Sequence, residues 1–359
     1  MPASCRILAV ALLLAGAARA DDAADLAFVR KLESAMAARN PAAFDAFVDA
    51  SALKAAIIPP GEDDYSWKHA LIGFEKKVKL GTLVTGAMGK HGSYRFLRFK
   101  ETDGRRTALF RLNGDKGLNY HELFLSPGPG TARIADIGII VSGERISHTL
   151  RRAIKSADAK RSDLAEQLKA VREIRTLAAK GEAKEALAAY DKLPASIKQE
   201  RWVQLVRLEV SGKASPAAFD SAAAEFRKQY PDDVAPDLAA IALYDSKKQY
   251  AKVLEAVDHL EKLVGPDPCL NFMRALARAA LGQSTEAKDL LRQAIEAEPT
   301  LYEAHETMLK LCAREQDHAA AVKALADLKK HVGVEYDVSK EAIFADLRKS
   351  EEYRKWKGQ

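Results

Sequence analysis

Apolar positions along the chain change their period twice. Over residues 24–39, Leu26, Val29, Leu32 and Met36 recur at steps of three and four, the stripe of an amphipathic helix. Asn40-Pro41 ends that stripe and opens a second short helix carrying Phe44, Phe47 and Val48. Pro59-Pro60-Gly61 breaks the chain, and residues 65–78 predict a third helix. From residue 93 the period falls to two. Strands are expected over 93–100, 107–113, 118–125 and 133–141, joined by Asp103-Gly104, Asn113-Gly114 and a loop at 127–130. From residue 142 the helical period returns, with Ile146, Leu150 and Ile154 on one stripe and a charged connector over 155–162.

Short connections imply antiparallel hairpins, so the two sheet faces follow from laying the strands side by side. One face collects Leu97, Phe99, Ala108, Phe110, Leu112, Leu123, Leu125, Ile137, Ile139 and Val141, and is expected to carry the core under the helices. The other collects Tyr94, Phe96, Arg98, Leu109, Arg111, Tyr120, Glu122, Phe124, Ile134 and Asp136. This pairing sets Glu122 opposite Asp136, with Arg98 and Arg111 as screening cations in a solvated ladder. Its aromatics leave a docking surface open as the alternative. The order of three helices and a curved meander resembles the nuclear-transport-factor-2-like superfamily, on element order alone. That resemblance implies a cone-shaped α+β domain with a pocket on the apolar face.

Further along, an apolar or small residue marks the same place in five successive helices: Ala186, Phe219, Val253, Ala287 and Ala321, spaced by 33, 34, 34 and 34. Tyr190, Ala223, Val257, Leu291 and Leu325 follow four residues on, and Leu193, Phe226, Leu260, Ala294 and Leu328 three later. Pro231, Gly265-Pro266, Pro299 and Gly333 punctuate the units. The unit around residues 268–299, with Ala275, Gly282, Ala287, Ala294 and Pro299, resembles the tetratricopeptide repeat, whose period is 34 residues. There are departures. Glycine precedes the second helix only at Gly181 and Gly282; Ala214, Lys248 and Gln316 stand there otherwise. Arg274, Arg278 and Phe219 also replace the residue types usual in that family.

These readings define the fold class: an α+β N-terminal domain, three helices on a curved antiparallel sheet, followed by an all-α superhelical solenoid. The expected divisions are 1–20 as a signal peptide, 21–158 as the cone-like domain, 159–333 as five repeats and 334–359 as capping helices. The leader follows from Arg6, the apolar run 7–14 and Ala18-Arg19-Ala20 before Asp21. Export is therefore expected, to a periplasm where the host has two membranes and to the medium otherwise. No later apolar run is long enough to span a bilayer. Net charge is +6, interspersed along the chain, which points away from nucleic acid. Beyond the leader only Cys269 and Cys312 remain, and their heights in the repeat frame predict two free, packed thiols.

Candidate chemistry is sparse. No phosphate-cradling glycine loop, His-Glu-x-x-His, metal-spaced cysteine set or Gly-x-Ser-x-Gly occurs; the run 86–92 reads as a loop. His121 faces the apolar side near Arg95 and Asn119, either as a core-edge residue or as a catalytic base. No enzyme activity, cofactor or metal is expected. The partner expected is a protein or peptide, with the chain a monomer or weak homo-oligomer. The tetratricopeptide resemblance implies that partners bind the stripe of each first helix that lines the inner groove. Carried onto this chain, that stripe holds Arg175, Gln204, Leu208, Leu238, Ala242, Cys269, Phe272, Leu276, Ala279, Glu306 and Lys310. Two other readings stay open: a one-residue register change would bury Phe272 and Leu276, and the tail could fill the groove with Phe344 and Trp356. The competing functional class is a small-molecule-binding or catalytic cone with accessory repeats.

Overall fold

The computed structural model describes residues 20–59, 61, 65–73, 79–115, 117–126, 132–157 and 162–358. The expected leader and the loop at 127–130 lie outside these residues, apart from Ala20, as do 74–78 of the third helix and most of the connector's centre. The chain is largely helical, with a five-stranded antiparallel sheet. It divides into two units, Met1–Ile139 with Glu144–Ala159, and Ile140–Gly143 with Lys160–Gln359.

In the first unit, α1 (Ala20–Ala37) turns Phe28, Val29, Leu32 and Met36 into the core. Asn40 caps α2 (Pro41–Ala46), accepting from the Ala43 N–H at 3.0 Å, with Pro41 where a missing N–H costs nothing. Asp49 caps α3 (Ala50–Ile57) in the same way at 2.9 Å. That hydrogen bond, first among its causes, holds the Asp49 carboxyl below the ordinary carboxylate range. After α4 (Tyr65–Ala70) comes α5 (Leu80–Met88), which buries Leu80, Val84 and Met88. Gly81 lets α5 touch α2: a Cβ there would lie 2.1 Å from the Pro41 carbonyl oxygen. Neither α3 nor α5 is evident from the apolar period, and α5 takes part of the run assigned to a loop.

Strands β1 (Ser93–Thr102), β2 (Arg105–Gly114), β3 (Gly117–Leu125), β4 (Ile134–Ile139) and β5 (Glu144–Arg145) pair in sequence order. Two bulges correct the expected faces. One separates Phe96, opposite Phe110, from Arg98, opposite Leu109, and leaves Leu97 between them. One extra residue inverts the phase of everything before it, so Tyr94 and Phe96 join the core face. The second, at Phe124/Leu125, brings Ile134 into the core. Glu122 lies opposite Gly138, and Asp136 opposite Phe124, so the expected carboxylate pair does not form. Lys100 binds Glu122, and Asp136 accepts the Ser147 hydroxyl at 2.5 Å. Leu109, Arg111, Tyr120 and Phe124 are buried, so this face is no solvated ladder. Residues 140–142 form a 3-10 turn ahead of β5, displacing the expected helix start to α6 (Ile146–Ala157). Val141, expected inside, is half exposed. Arg151 of α6 donates to the Ile57 and Ala56 carbonyls at 2.8 and 2.6 Å, closing the C-terminus of α3.

The second unit is a row of helix pairs: α7 (Ser162–Ala179) with α8 (Ala183–Asp191), then, after the single turn α9 (Ala195–Lys198), α10 (Arg201–Ala214) with α11 (Pro216–Gln229). Next come α12 (Ala235–Ser246) with α13 (Tyr250–Val264), α14 (Pro268–Ala280) with α15 (Ser284–Ala297), and α16 (Tyr302–Arg314) with α17 (His318–Asp327). All fifteen residues of the three recurrent positions are buried, from Ala186 to Leu328. Phe219, large where a small side chain is usual, meets Gly212: a Cβ on that glycine would stand 3.4 Å from the Phe219 ring. Four of the five turns inside pairs use a left-handed residue, and the α10–α11 turn passes through extended Ser215 instead. Gly181 and Gly282 supply it at φ 86° and 78°, while Lys248 and Gln316 adopt it at 56° and 60°. Arg274 is held by Asp258 at 2.8 Å and Glu261 at 2.6 Å, both on α13. Cys269 and Cys312 are both buried and are not bridged by a disulfide.

Past α17 the chain makes a one-turn π-helix (Leu328–Val332), a 3-10 turn (Ala342–Phe344), α18 (Ala345–Lys349) and α19 (Glu351–Lys357). Phe344 and Leu347 enter the core of the last pair, with Ile343, Tyr353 and Trp356 packed partly against it. The apolar tail thus covers the end of the row.

Candidate functional site

The first helices carry the candidate binding stripe, and they differ in what they leave open. On α7, Arg175 is exposed, 3.7 Å from Glu209. On α10, Gln204 donates to Gln229 and Leu208 is buried. On α12, Leu238 is buried and Ala242 exposed. On α14, Cys269 is buried, Phe272 and Ala279 are half-buried and Leu276 is 43% exposed. Phe272 and Ala279 pack beside Met308 against the core of Ala275, Ala287, Leu291, Ala294, Leu301 and Ala304. Leu276 stands between them on the stripe, four residues after Phe272 and three before Ala279.

On α16, Glu306 and Lys310 form an ion pair at 2.9 Å. The tail takes both. The Tyr336 hydroxyl lies 3.0 Å from a Glu306 oxygen and 2.6 Å from one of Glu341, and Lys310 reaches Glu341 at 3.2 Å. Burial, then the two carboxylates, push the Tyr336 hydroxyl far above its ordinary range, so it stays a donor. Tyr336 and Glu341 were invisible to the repeat register because they lie beyond Gly333, where that register ends. The expected tail residues Phe344 and Trp356 pack in the end core instead.

A buried carboxylate elsewhere in the row ties three helices together. Asp237, at the start of α12, is fully buried and accepts from Arg227 of α11 at 2.6 Å; the His259 ring of α13 lies 2.9 Å away. A charge removed from water this completely must be paired. It braces the row and gave no periodic signal.

In the first unit, His121 is buried on the core face with Tyr94, not Arg95, beside it. Arg95 sits 3.6 Å from Glu33. Asn119 accepts the Tyr120 N–H through its carbonyl at 2.8 Å, which turns its amide nitrogen to His121 Nε2 at 3.3 Å. Nε2 therefore accepts, and Nδ1–H donates to the Tyr94 oxygen at 3.2 Å. Burial lowers the His121 pKa to about 4 and raises that of Tyr94, so both are neutral at ordinary pH. Tyr94 in turn stacks on Phe110 at 4.8 Å. The partners of this imidazole among the described residues are thus a phenol and an amide.

Among the described residues no three His, Cys, Asp or Glu side chains converge where a metal ion could sit. Among the same residues no helix is long and apolar enough to cross a membrane. No known family profile matches the chain, and no curated protein does. A solved structure of a mutant of the protein MamA aligns with 47% of this chain and 97% of its own, at 15% identity and a TM-score of 0.31. A likeness that weak carries no argument. The helix pairs and the buried recurrent positions described above are what make the second unit compatible with a tetratricopeptide-like solenoid.

Proposed function

We propose that the protein is an exported, non-enzymatic interaction protein, whose tetratricopeptide-type second unit holds a protein or peptide against its first-helix faces. The observation that carries this reading is Leu276, 43% exposed in an apolar stripe with half-buried Phe272 and Ala279. Charges beside the stripe already have partners: Arg274 on Asp258 and Glu261, Arg278 on Gln283 and Glu286. An apolar strip with paired neighbours gains more from apolar side chains than from ions. A single exposed leucine flanked by two half-buried apolar residues suits one apolar anchor of an amphipathic helix or an extended segment. Export rests on Arg6, the apolar run 7–14 and Ala18-Arg19-Ala20. The first unit is a cone of the nuclear-transport-factor-2-like kind, by the order of its elements.

The experiment is a crosslinking pull-down from the native cell envelope with the wild-type chain and Leu276→Asp. The variant is expected to melt within a degree or two of wild type and to lose what wild type captures. Unchanged capture rules the stripe out. A second reading, a small-molecule site in the first unit, draws on buried His121 and Tyr94 with half-buried Asn119. A thermal-shift screen on the full chain tests it: a ligand at a hundred times its Kd adds about 2.7 kcal/mol of stability.

A further inference from the structure

His305 lies in the first turn of α16, next to Glu306, and is fully buried. Its Nε2 is 2.8 Å from the Pro299 carbonyl oxygen, which can only accept. Nε2 therefore carries the ring's proton and Nδ1 is bare. That Nδ1 is buried and finds no hydrogen-bond partner among the described residues. The His331 ring stacks on His305, with centroids 6.4 Å apart and planes 15° from parallel. His331 sits in the π-helix Leu328–Val332, which delivers the chain through Gly333 to the strap at 334–349.

We propose that the His305–His331 stack is an acid-sensitive latch, which holds the strap on the last helix pair and lets it go when His305 takes up a proton. A proton on Nδ1 would be a buried donor without an acceptor, facing a second imidazole. The groups acting on the ring come from each element around it. Lys323 and Asp327 lie on α17, His331 on the π-turn and the Pro299 carbonyl before α16. Asp327 and the carbonyl favour the charged ring, Lys323 and His331 oppose it, and burial outweighs them all. Asp327 is moreover shared with Lys323 at 3.2 Å. Relief comes from parting the rings, which lifts the π-turn from α16. The strap then loses its fixed base, and its Tyr336 and Glu341 contacts to Glu306 and Lys310 part with it. Opening uncovers Glu306 and Lys310, which extends the stripe of the proposed function; the latch itself does not depend on that reading.

Hydrogen exchange on the full chain at pH 7.5 and pH 5.0, corrected for intrinsic rates, tests the latch. In wild type the amides of 334–349 are expected to lose protection tenfold or more at pH 5.0, while those of α13 do not. His305→Gln keeps a donor for Pro299 and cannot charge, so its strap should stay protected at pH 5.0. A wild-type strap equally protected at both pH values overturns the proposal, and so does equal acid loosening in His305→Gln. Should that variant not fold, NMR titration of the His305 ring in wild type decides. Opening that tracks its protonation supports the latch, and opening at an unrelated pH overturns it.

Discussion

His121 must stay neutral to remain where it is, and that has a pH signature. Its folded pKa of about 4 lies below the ordinary 6.5 because burial disfavours the imidazolium. A depressed histidine leaves stability intact above pH 6.5. Below that, the unfolded chain binds a proton that the folded one refuses, so stability falls until pH reaches about 4. The loss is on the order of 3 kcal/mol for this one group. Urea midpoints at pH 7 and pH 4.5 check it: wild type should fall further than His121→Leu, and parallel losses would remove His121 as the cause. At Asp237 the expected cost is direct. Asp237→Asn leaves Arg227 and His259 short of their anion, and because both are partly exposed the loss should be about 1–3 kcal/mol in the denaturant midpoint. Both residues show how far single positions were legible. The inward face of His121 followed from strand pairing, but its partner Tyr94 did not, because Leu97 is inserted in β1 and no local alternation reveals an inserted residue. Asp237 is a single carboxylate among many, and only the packed helices mark it as enclosed.

Helix pairs were the most legible elements, since each second helix repeats the same buried triplet and 34-residue spacing carries one pair onto the next. One of those contacts is Ala287 of α15, fully buried in the cluster with Ala275 of α14. Ala287→Phe should overpack it and cost about 1–3 kcal/mol, seen as a lower denaturant midpoint with an unchanged slope. The turns inside pairs offer the opposite change. Gln316 holds φ 60° where Gly282 holds 78°, and a side chain in that conformation costs roughly 1 kcal/mol. Gln316→Gly should therefore raise the melting temperature, while Ala in the same place, with the same Cβ, should leave it nearly unchanged. The sequence showed glycine missing there but not that the turn keeps its shape without it. Helices α3 and α5 escaped notice for another reason. Each is under three turns long, too short for a period to establish itself, and α5 owes its place to the close approach at Gly81.

On the scale of the whole chain, the two units were visible as a change of period, and the face of the repeats that stays open was not. Leu208, Leu238 and Cys269 share a nominal stripe with Leu276, yet they are buried and Leu276 is not. Heptad-like spacing fixes direction around a helix axis, while the depth of each position depends on neighbouring helices that the spacing does not describe. Glu306 and Lys310 are likewise on the stripe but engaged by Tyr336 and Glu341 of the tail. The open part of the proposed binding stripe is therefore narrow and centred on α14. Site-specific photo-crosslinking tests that claim most directly. A photoreactive residue at 276 is compared with one at Glu296, exposed on the second helix of the same pair. The account predicts that a discrete product forms from position 276 and not from 296. Products of equal yield from both positions, or from 296 alone, would contradict it.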